Sequence, residues 1–151
     1  MPSKLVSRAD TVLAVSAEIL EELKSIYVDL ERDLNGLPGA CEACGECCHF
    51  ASFDHELRLT ELELAYLIDC HGLRRPVREG ICPYLEDARC VARLGRTLGC
   101  RVFNCRADKT KTEDLYDRYF LKIRELAKKH GLTLTYGELL EALGEITVSQ
   151  G

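Results

Sequence analysis

No apolar run in the chain approaches the roughly 18 residues needed to cross a bilayer, and the opening Met1-Pro2-Ser3-Lys4-Leu5-Val6-Ser7-Arg8-Ala9-Asp10 meets charge again before a leader's hydrophobic stretch forms. The expectation is a cytoplasmic protein with no membrane partner. Positive charge is also short. With 20 Lys+Arg against 25 Asp+Glu the net charge is -5, and the concentrated basic face that holds a phosphate backbone is missing, so nucleic acid is not an expected partner. Enzyme signatures are absent as well. Gly36 to Gly45 lacks the Lys-Ser/Thr ending of a phosphate loop, and Gly95 to Gly99 follows no convincing strand. There is no nucleophile elbow, and Glu22, Asp29 and Glu31 have no His or second carboxylate pair at metal-binding spacing. The chain shows no internal repeat and no low-complexity linker, so its 151 residues read as a single domain, 1–151.

What the sequence does have is cysteine. Nine stand in 151 residues, and all lie between Cys41 and Cys105. A chain of this length buries enough surface to fold without staples, and the content stays below the roughly 8 to 10% of disulfide scaffolds. In a cytoplasmic setting, an odd number of clustered cysteines points to thiols or thiolates that bind metal. The domain then divides by cysteine content into an N-terminal helical part (1–39), a cysteine-cluster core (40–106) and a C-terminal helical pair (107–151).

The flanks follow helical rules. Val12, Val15, Ile19, Leu23, Ile26, Leu30 and Leu34 recur every three to four positions, predicting one helix from about Asp10 to Asn35. Thr60 with Glu63 predicts a capping box opening a helix to His71, with Leu59 and Leu64 as its hydrophobic staple and Gly72 as its stop. Thr110 with Glu113 predicts a third helix carrying Leu115, Tyr119, Ile123 and Leu126, closed by His130-Gly131. Thr135 with Glu138, stapled by Leu134 and Leu139, predicts a fourth to about Gly144. Alternating stretches at Ile81 to Leu85 and Cys90 to Leu94 suggest at most one short hairpin. The expected fold is mainly α: a small four-helix domain, the first helix packed with the last two, around an irregular cysteine-rich metal-binding centre.

Cys41-x2-Cys44-x2-Cys47-Cys48 is the most informative segment. Two-residue spacers let successive thiolates turn toward one centre, and the first three match the opening of a bacterial iron–sulfur run whose fourth ligand comes from elsewhere. Cys82, Cys90, Cys100 and Cys105 supply four more. Four plus four suits two tetrahedral zinc sites, or one cluster with an additional site, and ligand type alone does not separate these. Eight thiolates would take the protein part from -5 to about -13, a charge that bound cations or clusters must offset. Every Lys/Arg cation of the 41–105 window is Arg, at 58, 74, 75, 78, 89, 93, 96 and 101, and Arg can donate hydrogen bonds to ligand sulfur. Cys70 lies outside the pattern, near Leu67 and Tyr66, and is expected to be a small buried apolar residue. His49 reads as a neighbour of the site rather than a ligand, His55 and His71 as structural or exposed, and His130 as a cation at a helix C-terminus.

These residues, Cys41-x2-Cys44-x2-Cys47-Cys48, Cys82-Pro83-Tyr84-Leu85, Cys90 and Cys100-Arg101-Val102-Phe103-x-Cys105, resemble the YkgJ-like cysteine-cluster proteins of bacteria and archaea, the zinc- or iron-chelating domains. The likeness covers about residues 40 to 106. Arg96-Thr97 stands where many relatives read Arg-Pro. A related cysteine pattern occurs in the larger flagellin lysine methylase. The resemblance implies chelation of zinc or an iron–sulfur cluster in one or two centres. The function expected is metal or cluster handling, electron transfer, or service as an accessory to a protein partner; the alternative is a protein-modifying, methylase-like enzyme. The stretch Arg106 to Lys129, with more Lys and Arg than Asp and Glu, reads as a solvated helix face, with an acidic partner as the other reading.

Overall fold

Residues 8–36, 58–74, 76, 80–87, 89–102 and 109–150 are described by a computed structural model. The predicted first helix is two. Helix α1 covers Arg8–Leu13 and α2 covers Ala17–Asn35, with Ser16 between them in extended conformation, its Oγ accepting from the Ile19 amide at 3.3 Å. A Ser N-cap competes well against continuing the helix. The break also redirects the apolar stripe. Val12 packs against one buried cluster, whereas Val15, Ile19, Leu23, Tyr27 and Leu30 pack against another.

Helix α3, Glu61–His71, forms as its signals predict: Thr60 and Glu63 make both bonds of the capping box, and Leu59 and Leu64 are buried in the same cluster. Gly72 ends it at φ +78°, ψ 163°, a region open essentially to glycine alone. Seven of its eleven residues, Glu61 to Leu67, are buried. The reason is its place between two cores. Leu64 and Leu67 face α1, the hairpin below and the last helix, while Leu62 and Tyr66 face α2 and the helices that follow.

The expected hairpin is present. Strand β2, Leu85–Glu86, pairs antiparallel with β3, Arg89–Cys90, setting Leu85 opposite Cys90. Asp87 turns it at φ 48°, a left-handed value that Asp tolerates. A single 3-10 turn, Arg93–Gly95, and a short helix α4, Leu98–Val102, come next; neither is foreseen by the sequence reading. Helix α5, Lys109–Lys129, buries Leu115, Tyr119, Ile123 and Leu126 as predicted, with Thr110 inside its first turn. Its end is a Schellman motif: Gly131, at φ +70°, donates to the Lys128 carbonyl at 3.2 Å and Leu132 to that of Ala127 at 2.9 Å.

The last helix corrects the prediction. Helix α6 spans Leu139–Gln150, and Thr135 does not cap it. Glu138 does so instead, its carboxylate accepting from the Leu140 and Glu141 amides at 3.0 and 2.9 Å. Thr135 donates its amide and hydroxyl to Glu61 on α3. That bridge carries Gly137–Glu138, strand β4, alongside Arg58–Leu59, strand β1, a second antiparallel pair beyond the one hairpin expected. Leu134 and Leu139 lie in different clusters, so no staple joins them. The last two helices likewise part company: α5 packs with α2, and α6 with α1.

Candidate metal centre

Among the eight expected ligands, Cys82, Cys90 and Cys100 fall within the described residues, and Cys41, Cys44, Cys47, Cys48 and Cys105 lie outside them, as do His49 and His55. Cys82 begins a tight turn in which its carbonyl accepts from the Leu85 amide at 3.1 Å, and its side chain is buried in the first cluster. Cys90, half-buried on β3, packs against that same cluster. The hairpin thus brings these two thiols to one apolar surface. Cys100 lies on α4, half-buried, where its amide donates to the Thr97 hydroxyl at 3.3 Å. Among the described residues no three His, Cys, Asp or Glu side chains gather at one point. The described share of the donor set fits a thiolate site in its chemistry. Its members are thiols carried on a hairpin and a helix, each at least partly withdrawn from water.

Cys70 corrects its expectation. It is exposed, at the solvent edge of the last turn of α3. The burial of this helix stops after Leu67. His71 is structural, its Nε2 accepting from the Gly95 amide at 3.0 Å, which ties the 3-10 turn to α3. Burial, then the nearby Arg74 charge, lowers its pKa and keeps it the neutral acceptor this bond needs. His130, with Lys129, reaches Glu22 across to α2.

Several of the arginines that could donate to ligand sulfur are engaged elsewhere. Arg101 donates to the carbonyls of Arg96 at 2.8 Å and Leu94 at 2.6 Å and to Glu31 at 3.1 Å, and lies 4.0 Å over the Tyr27 ring. Arg74 pairs with Glu86 at 2.8 Å and covers Tyr84. Arg96 donates to the Arg93 carbonyl at 3.2 Å. Their geometry makes them fasteners of the 93–102 segment and the hairpin. Sequence reasoning missed this because each partner is a backbone carbonyl or a distant carboxylate with no local signature.

Two buried carboxylates complete the scaffold around these cysteines. Glu63, 1% exposed, accepts from the Thr60 amide at 2.6 Å and the Leu98 amide at 2.8 Å, so one side chain caps α3 and docks α4. Glu61, 2% exposed, holds Thr135. Burial is the leading cause that raises both pKa values, with the hydrogen bonds working against it. Among the described helices none is long and apolar enough to cross a membrane. No protein-family model, curated protein or solved structure matches the chain.

Proposed function

We propose that this chain is a cytoplasmic metal-binding protein of the YkgJ-like kind, holding zinc or an iron–sulfur cluster through Cys41, Cys44, Cys47, Cys48, Cys82, Cys90, Cys100 and Cys105. The observation that carries the reading is the spacing of those eight thiols, four in the run 41–48 and four more within 82–105. The turn at Cys82 and the pairing of β2 with β3 support it, since they bring Cys82 and Cys90 to one surface from eight residues apart. Thiolates are the ligands zinc and iron–sulfur centres share, and the work of such a centre here is metal or cluster handling, electron transfer, or docking on a protein partner. The test is elemental analysis with visible absorption on protein purified without oxygen. Brown protein containing iron and acid-labile sulfide establishes a cluster, colourless protein with one or two zinc per chain establishes zinc, and metal-free folded protein sinks the proposal. Cys70→Ser should leave the metal content unchanged, while Cys82→Ser or Cys100→Ser should lower it.

A further inference from the structure

A cavity of about 610 Å³ opens between α2, Tyr66 of α3 and the segment from the 3-10 turn into α4. Its described lining is charged in one sense: Lys24, Arg32, Arg93, Arg96 and Arg101 against a single acid, Glu31. The chain as a whole carries -5, so this groove opposes the charge of its surroundings. Glu31 answers only part of it. It accepts from Arg101 at 3.1 Å and stands 3.9 Å from Arg96, while Lys24 and Arg32 project from exposed positions on α2, Arg32 within 3.6 Å of Asp29 outside the groove lining.

The rest of the lining, Asn35 aside, is aromatic or aliphatic. The Tyr27 and Tyr66 rings are at most 9% exposed and lie behind the groove, while Leu94 and Val28 stand at its rim 77% and 53% exposed. Arg101 donates to the Arg96 and Leu94 carbonyls and to Glu31 and stacks on Tyr27, so it fixes the wall of the groove that carries Arg96 and Leu94. The volume falls within the roughly 300–1,000 Å³ of small-molecule sites.

We infer that this groove binds an organic anion, its acidic head set among Lys24, Arg32 and Arg96 and its apolar body laid against Tyr66 and Leu94. The inference uses no thiol, so it stands or falls separately from the metal reading. The test titrates the full chain, with whatever metal it carries as purified, with 8-anilinonaphthalene-1-sulfonate and with its uncharged counterpart N-phenyl-1-naphthylamine, followed by fluorescence. The sulfonate should bind one per chain, at least about tenfold more tightly than the neutral dye, and weaken as salt is raised. Lys24→Glu with Arg32→Glu should weaken it by at least about tenfold with circular dichroism unchanged. Leu94→Ser should weaken both dyes, and Lys128→Glu, an exposed charge on α5, should alter neither. Equal affinity for the two dyes, salt-independent binding, or indifference to the double charge reversal overturns the proposal; the first two read on the unsubstituted protein even where a variant does not fold.

Discussion

Glu63 shows how much of this molecule a local rule predicts and where it stops. Its place three residues after Thr60 announces the capping box, because both partners lie in one turn. Its second oxygen meets Leu98, 35 positions away, and nothing in the intervening sequence announces that, just as nothing near Glu61 announces Thr135. Cys70 is the converse, a residue whose apolar neighbours suggest burial although its own turn has already left the core. Glu63 accepts at both oxygens, so Glu63→Gln sets an amide NH2 against a backbone N–H and should destabilise by about 1–3 kcal/mol at pH 5, read from urea denaturation. The pH dependence has a definite sign. Burial raises the Glu63 pKa above the ordinary 4.5, so between 4.5 and the raised value the folded state binds more protons than the unfolded chain, and stability falls as pH rises through that window. Glutamine has no such loss, and the gap between wild type and variant should therefore narrow as pH rises through that window. Glu22 acts in the opposite direction and in a different window. Lys129 and His130 lower its pKa, so its contribution is complete above 4.5 and disappears as pH falls below.

At the scale of elements, helices are legible where apolar period and end signals agree, as in α3 and α5. They are misread where one signal is taken without the other. The stripe from Val12 to Leu34 continues in period through Ser16, which caps a new helix, and the Thr135–Glu138 pair has capping-box spacing although Thr135 is drawn away by α3. Helix α4 escapes because five residues that include Gly99 carry too little periodicity to read. The helix ends differ in what they demand. Gly131 occupies the left-handed region, with nothing within 4 Å of where a Cβ would stand, so Gly131→Ala should cost about 1–2 kcal/mol and Gly131→Asn less. Gly72, at φ +78° and ψ 163°, occupies a region that Asn does not rescue, and its carbonyl accepts from the buried Tyr84 hydroxyl at 2.7 Å. Gly72→Ala should cost about 1–3 kcal/mol, and Gly72→Asn should be no better, both measured by thermal melts. Equal rescue by Asn at the two positions would contradict this distinction.

Across the whole molecule, α3 is the wall shared by two buried clusters, one closed by α1, α6 and the hairpin, the other by α2, α4 and α5. The mainly α class is legible because charge and apolar period alternate along both flanks. The division into two cores is not, since it depends on which helix packs with which. Leu62→Ala and Leu64→Ala, on opposite sides of that wall, should each cost about 2–5 kcal/mol and each lower a single shared unfolding transition. The cysteines are unevenly distributed over this scaffold. Cys82 and Cys90 belong with the first cluster and Cys100 is on α4, whose Leu98 and Val102 belong to the second, yet the leucine, isoleucine and tyrosine side chains that fill both cores need no metal to stay buried. Removing metal from the full chain with a strong chelator should therefore leave most of the helical circular dichroism. The near-ultraviolet signal of Tyr84 and its neighbours around the hairpin should be lost, because thiolates released from metal take up protons and no longer tie Cys82 and Cys90 to the other ligands proposed in the 41–105 segment. Unchanged circular dichroism and near-ultraviolet spectra after complete metal removal would show that the thiols play no structural part, and collapse of the helical signal would show that the two cores do not stand on their own.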